Sequence, residues 1–261
     1  MNVSFIGAGN VAWHLAPALD NTDFSVREIY SRNIHNASAL TEKLYQASPR
    51  ASLDFSQSPS RIFIIATSDD AVQQIASEIM LPENAILVHT SGSLPLSVLG
   101  YSSTPNIGVF YPLQTFTKNK RIDWKEIPLF IESENGDTER VLISMAKAVT
   151  KKVHRISSGE RKALHVAAVF ASNFTNHMLA LSKQIMSEHK LSFEHLKPLI
   201  TETITKALAI GPENSQTGPA KRGDLETLDH HMEFLQDDEE VAEIYRVISQ
   251  SIVDRYSEDS V

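Results

Sequence analysis

His165, Ser172 and Asn176 form a candidate polar stripe, with Ser172 and Asn176 seven and eleven residues after His165. At about 100° per helical residue, Ser172 and Asn176 fall within about 20° of His165, so the three share one face. Asn173 flanks that face. The neighbouring residues are Ala, Val, Phe and Leu, among which a buried polar stripe is costly unless it has partners. A cleft lined by the stripe accounts for it. His165 would then donate a proton to a carbonyl or imine as hydride arrives, Asn173 would position that substrate, and Ser172 would contact it. The alternative is a stripe that faces bulk water or bonds to neighbouring helices. A second group is Thr217-Gly218-Pro219-Ala220-Lys221-Arg222-Gly223-Asp224. It combines a Gly-Pro turn, a helix-capping aspartate in Asp224 and a candidate anion clamp for the substrate in Arg222. The alternative there is an ordinary loop. His230 and His231 are adjacent, do not share a helix face, and read as helix surface.

A hydride donor must be held beside such a stripe, and the start of the chain has the residues for it. Val3-Ser4-Phe5-Ile6 runs into Gly7-Ala8-Gly9-Asn10-Val11-Ala12, followed by apolar residues at helical spacing: Val11, Leu15, Ala18 and Leu19. Strand, Gly-x-Gly-x-x-Ala and helix in that order are the phosphate-binding turn of a dinucleotide fold. Gly7 permits the tight turn, Gly9 lets the backbone approach a pyrophosphate, and the small Ala12 lets the helix pack closely on the sheet. The N–H groups of Asn10 and Val11, with the helix dipole behind them, would hold phosphate charge. Pro17 is out of keeping. Inside a helix it costs about 3 kcal/mol unless the helix kinks or has ended.

The next strand, Ser25 to Tyr30, ends at Ser31-Arg32-Asn33. An NAD site places a carboxylate there, about 20 residues past the glycines, to take the ribose 2′-hydroxyl. This chain has none. Arg32, 23 residues past Gly9, sits between two short polar side chains. A guanidinium with hydroxyl and amide neighbours suits a 2′-phosphate, so the expected cofactor is NADP(H). The alternative is a polar loop that caps the adjoining helix.

Elements able to position these groups recur along the first half. A helix-like stretch, Ala37 to Tyr45, and a polar linker precede the apolar run Arg61 to Thr67. Ser68-Asp69-Asp70 then caps a helix through Ile79, and Ala85 to Thr90 repeats the apolar pattern before Ser91-Gly92-Ser93. Strand and helix alternating at intervals of about 30 residues predict a doubly wound, mostly parallel sheet of Rossmann type. Ligands of such sheets lie beyond the carboxyl ends of the strands. Thr67, Ser68 and Thr90 would border the cofactor and Ser91 the substrate, although each also suits a helix N-cap. Asn106–Tyr111, Ile127–Ile131 and Lys152–Ile156 read as further strands, and Asp137–Val149 as a helix.

After Ile156 the strand signals stop. Ser157-Ser158-Gly159-Glu160 matches a capping box, and helical spacing continues to about Met186 as one long helix. Ser192 starts another helical region, ending at Gly211-Pro212, and a polar loop from Glu213 leads to Asp224. Helices then span Leu225–Leu235 and Asp237–Tyr256. The expected division is 1–155, an NADP-binding Rossmann-like domain, and 156–261, an all-α substrate and dimerisation domain.

At 261 residues the chain has room for both, and 42% hydrophobic with 21% charged residues is a globular composition. No cysteine is present, which excludes disulfides and a thiol nucleophile. A net charge of −8 argues against a nucleic-acid surface. No apolar run approaches the ~20 residues of a membrane span. The start has no signal-peptide pattern, so the expectation is a cytoplasmic protein without a membrane partner. Asp69, Asp70, His89 and Tyr111 make no spaced ligand set, and no metal is expected.

The glycine turn, Tyr111-Pro112-Leu113-Gln114-Thr115-Phe116, His165 to Asn173, and Thr217 to Asp224 together resemble one group over nearly the whole chain. These are the bacterial Rossmann-like proteins with a helical C-terminal domain of unknown function, DUF2520, many provisionally assigned as NADP oxidoreductases. The resemblance implies a fold similar to pyrroline-5-carboxylate reductase and the 6-phosphogluconate dehydrogenase-like enzymes, with helical domains that pair into homodimers. It gives added weight to His165, Asn173, Arg222 and Asp224. Relatives commonly carry histidine where this chain has Tyr111, so no catalytic role is carried over to that position. The β-hydroxyacid dehydrogenases have a lysine four residues before the helix asparagine, where this chain has Val169. The Ser-Gly-rich helix start of the pyrroline-5-carboxylate reductases is also missing. Neither reaction transfers. An NADP(H)-dependent reduction of a small polar carbonyl or imine is the leading expectation. The rival is a non-catalytic NADP(H)-binding sensor or assembly module, and fold analogy alone allows a deazaflavin such as F420 in place of an organic substrate.

Overall fold

The apolar run Ile62–Ile65 is a strand buried on both faces, and the sheet grows outward from it. In the computed structural model, which describes residues 1–256, eight strands form one sheet. They are β1 (Asn2–Ile6), β2 (Ser25–Tyr30), β3 (Ser48–Arg50), β4 (Ile62–Ile65), β5 (Ile86–His89), β6 (Ile107–Pro112), β7 (Leu129–Glu132) and β8 (Val153–Arg155). Their order is β3-β2-β1-β4-β5-β6-β7-β8. All pairs are parallel except β6 with β7. The chain thus forms a Rossmann-like, mostly parallel sheet with helices after it, and the strand order reverses between β1 and β4.

Alternation along the strands divides the core between the two faces. Val3, Phe5, Ile62 and Ile64 join one apolar cluster, while Ile6, Phe63 and Ile65 join the other. The first cluster takes α1 (Asn10–Asp20), α2 (Ile34–Thr41) and α4 (Gly136–Val149) through residues such as Leu15, Leu40 and Leu142. The second takes α3 (Asp69–Glu78) through Val72 and Ile75. Ala12 is fully buried, consistent with close packing of α1. Pro17 lies inside α1 without ending it, so the Trp13 carbonyl loses its usual partner four residues on.

Several boundaries differ from those expected of the sequence. α2 starts at Ile34, earlier than expected, because the Asn33 side chain accepts the His35 N–H and caps it. The polar linker contains β3, an edge strand able to hold Pro49 because its outer side needs no donor. The final strand shrinks to Val153–Arg155. The expected capping box is formed: the Ser157 side chain accepts the Glu160 N–H, and the Glu160 carboxylate accepts the Ser157 N–H.

The chain divides into two compact units, Met1–Asn173 and Phe174–Val261. The first unit ends with α5 (Ser158–Ala168) and most of a π-helical segment, Val169–Phe174. The second contains α6 (Thr175–Glu188), α7 (Lys197–Ile210), α8 (Pro212–Ser215), α9 (Pro219–Arg222), α10 (Leu225–Phe234) and α11 (Glu239–Tyr256). The expected polar loop after Gly211 therefore includes two short helices, each opened by a proline in its first turn. Within this unit α6, α7 and α10 bury no residue. Among the described residues, no helix is long and apolar enough to cross a membrane.

Candidate functional site

The turn after β1 lies at the reversal of strand order, where its backbone can reach a ligand across the carboxyl ends of β1 and β4. Gly7 has φ +114°, and a Cβ there would lie 2.4 Å from the Ala66 carbonyl oxygen. Only glycine fits. A cavity of about 650 Å³ opens beside this turn. Gly7, Gly9, Asn10 and Val11 line it from the turn, Ser31, Arg32 and Asn33 from the end of β2, and Thr67 and Ser68 from the end of β4. Lys118, from the β6–β7 connection, adds a cation that no sequence motif singles out. The Ser68 hydroxyl, and less strongly the Arg32 guanidinium, hold the Asp70 carboxyl below its ordinary range. Arg32 is exposed and lies near that charge; Asn33 is engaged in capping α2.

Thr90 and Ser91 lie outside that lining, on the turn after β5. The Thr90 hydroxyl donates to the Ile65 carbonyl at 3.4 Å. The Ser91 hydroxyl donates to Asp69 at 2.9 Å and accepts the Ser93 and Leu94 N–H groups, each at 3.1 Å. These bonds organise the turn. Beneath it Arg161, on α5, is wholly buried. Its guanidinium donates to the Ser91 and Leu94 carbonyls at 2.9 and 2.7 Å and pairs with Glu132 at 2.8 Å. His89, also wholly buried, accepts the Ser91 N–H through Nδ1. Burial, reinforced by the Arg161 charge, lowers its pKa to about 3, so His89 is neutral near pH 7. Sequence reasoning misses Arg161, because nothing in a lone arginine after a capping box marks it as buried.

The turn presses Gly92 against a pair of side chains. The Tyr111 hydroxyl, at the carboxyl end of β6, lies 3.0 Å from His165 Nδ1. A Cβ at Gly92 would come within 2.4 Å of that same nitrogen and 2.8 Å of Tyr111 Cζ. Burial raises the Tyr111 pKa, partly offset by the Arg161 charge, so the phenol keeps its proton near neutral pH. With that phenol donating to Nδ1, a neutral His165 ring would carry its proton on Nε2.

Strand and helix hold this pair in register. Glu132 lies opposite Val109 and Phe130 opposite Tyr111, a step of about 7 Å along β6. Arg161 contacts Glu132 and His165 contacts Tyr111, a step of about 6 Å along α5 at ~1.5 Å per residue. The two rises match, so α5 runs alongside β6 and delivers His165 to the same sheet edge as the glycine turn. The reversed β7 makes this possible by bringing the chain back to the opposite edge before α5 begins.

The polar stripe needs correction. Val169–Phe174 is π-helical, with i→i+5 bonding that breaks the 100° count used to align His165 with Ser172 and Asn176. His165 is half-buried, whereas Ser172 and Asn173 are exposed. Neither Ser172 nor Asn173 joins the Tyr111–His165 pair. In the second unit, the Asp224 carboxylate accepts the Thr227 N–H and hydroxyl as the cap of α10, which holds its pKa below the usual range. Arg222 lies 3.8 Å from it, and Gly223 between them has φ +66°. Among the described residues no cluster of three or more His, Cys, Asp or Glu could hold a metal.

The description "Domain of unknown function (DUF2520)" matches residues 127–252. A crystal structure from Bacteroides fragilis, provisionally named an NADP oxidoreductase, is 36% identical over 97% of this chain and 98% of that one, with a TM-score of 0.87. A Thermotoga maritima protein is 22% identical, covering 99% of this chain and 100% of that one, with a TM-score of 0.72. An imine reductase variant from Myxococcus stipitatus in complex with NAD+ is 13% identical over 97% and 94% of the two chains, with a TM-score of 0.61; that likeness is one of fold. No curated protein sequence matches.

Proposed function

The chain belongs to the DUF2520 family, and from that premise we propose that it is an NADP(H)-dependent oxidoreductase acting on a small polar carbonyl or imine. The Tyr111–His165 pair carries the reading, because it offers an oriented proton at the carboxyl edge of the sheet that also bears the dinucleotide turn. The names of the Bacteroides fragilis and Myxococcus stipitatus proteins support the general class. The Gly7 cradle, which no other residue fits, and the cavity beside it suit a pyridine dinucleotide. When bound, that group supplies hydride. The backbone N–H groups of Asn10 and Val11 would hold its pyrophosphate, and Arg32 with Ser31 its 2′-phosphate. His165 would give the Nε2 proton to the substrate, and the Tyr111 hydroxyl would steady the ring. Steady NADPH oxidation against a panel of carbonyls and imines tests the reaction. Binding of NADPH with no turnover on any of them favours the sensor or assembly module instead.

Cofactor choice has its own test. In calorimetric titrations NADPH should bind more tightly than NADH, and Arg32→Ala should remove the preference. A charge-assisted contact is worth about 1.5–3 kcal/mol, or roughly 10- to 150-fold in affinity. Equal affinities for both nucleotides in the wild type would remove Arg32 from cofactor selection.

The helical part, residues 156–261, is proposed as the surface on which two copies pair. Leu199, Ile204 and Leu208 stand exposed along α7, with Leu208 83% accessible, and apolar surface on this scale calls for a partner. Light scattering at micromolar concentration should give twice the 29.0 kDa chain mass, and a monomeric mass would overturn the pairing.

A further inference from the structure

Four cations converge on a second cavity, of about 540 Å³, beside the nucleotide cleft. Lys43 comes from the segment after α2; Lys118, Lys120 and Arg121 come from the β6–β7 connection. That connection is fastened to α1 at both ends of the basic run. The His14 ring bonds the Thr117 carbonyl at 2.9 Å, and the Trp124 indole N–H donates to the His14 carbonyl at 3.2 Å. The run Lys118-Asn119-Lys120-Arg121 is thus held between two ties and faces α1.

The floor of the cavity includes both tryptophans of the chain, Trp13 and Trp124. Lys43 Nζ lies 4.5 Å and Lys118 Nζ 4.6 Å from the centre of the same Trp13 ring. The two ammoniums are therefore within about 9 Å of each other, inside a Debye length of about 10 Å in ~0.1 M salt. Among the described residues no carboxylate lines the cavity, and none of the four cations forms an ion pair. In a chain of net charge −8, a group of exposed like charges without counter-charge makes a local positive potential that attracts an anion.

We propose that this cavity is a binding site for a multiply charged phosphate compound, distinct from the nucleotide cleft and sharing only Lys118 with it. Lysines act on phosphate as point charges and need no planar geometry, which suits a compact polyphosphate better than a single carboxylate. The proposal does not depend on the assignment of the cofactor. Each can fail without the other.

Because both tryptophans line the cavity, their fluorescence reports on it directly. Inorganic pyrophosphate titrated into the full chain at constant ionic strength should produce a saturable change in emission. Lys43→Ala and Arg121→Ala should each weaken that binding about tenfold while leaving NADPH affinity within about twofold. Three results would overturn the proposal. The first is the lack of any saturable change with pyrophosphate, and the second is the same change produced by sodium chloride. The third is a change that survives Lys43→Ala and Arg121→Ala but is competed away by NADPH, which assigns the anion to the nucleotide cleft.

Discussion

His165→Ala should lower kcat by about 10²- to 10⁴-fold on whatever substrate is identified, the usual range for a positioned general acid. NADPH affinity, measured by calorimetry, should be unchanged, because neither His165 nor Tyr111 lines the cavity beside the glycine turn. Tyr111→Phe should also lower kcat, by less, since the ring of His165 would remain while its tautomer lost the 3.0 Å bond that fixes it. The double variant should be little worse than His165→Ala alone, as expected of two groups acting as one unit. Gly92→Ala offers an independent route to the same loss. Its methyl group would meet the His165 ring at 2.4 Å and force the pair apart. Full turnover by a folded His165→Ala protein would remove the pair from the mechanism.

Glu132→Leu should destabilise the fold by about 3–5 kcal/mol, because it leaves the guanidinium of Arg161 buried without its counter-charge. In a chain of this size that corresponds to a fall in Tm of very roughly 6–20 °C. Adding Arg161→Met should restore much of the loss, since an apolar side chain of similar volume carries no charge to leave unpaired. Two carbonyl acceptors, of Ser91 and Leu94, would still lose their donors, so the recovery should be incomplete. Urea denaturation of the two variants beside the wild type is the measurement. A Glu132→Leu protein within about 1 kcal/mol of the wild type would show that water reaches Arg161.

Much of the first unit can be read locally. The Gly7–Ala12 turn comes directly after its strand, and Ile62–Ile65 is an unbroken apolar run of the kind a doubly covered strand requires. The features that escape such a reading depend on distant partners or on departures from ideal geometry. Tyr111 and His165 are 54 residues apart, and they meet only because β7 runs backwards, a matter of topology that neither residue announces. Sequence reasoning gives Tyr111 no catalytic role, because similar chains commonly carry histidine there, and it passes over Arg161. The π-helical segment defeats the stripe. A count at 100° per residue presumes a regular helix, and one widened turn is enough to rotate every residue beyond it. The Ser48–Arg50 strand carries a proline and no apolar alternation, so it is legible only from the β2 backbone beside it.

The placement of His165 on a late helix separates two capacities in time. Gly7, Arg32 and Ser68 leave the ribosome 158, 133 and 97 residues before His165 does, and chains commonly fold from the N-terminus as they are made. The nucleotide turn can therefore order while the proton donor is still unmade. The Tyr111–His165 contact, which closes a 54-residue loop, is among the non-local contacts that form slowly. A nascent chain would acquire the means to hold a cofactor first and the means to use it afterwards.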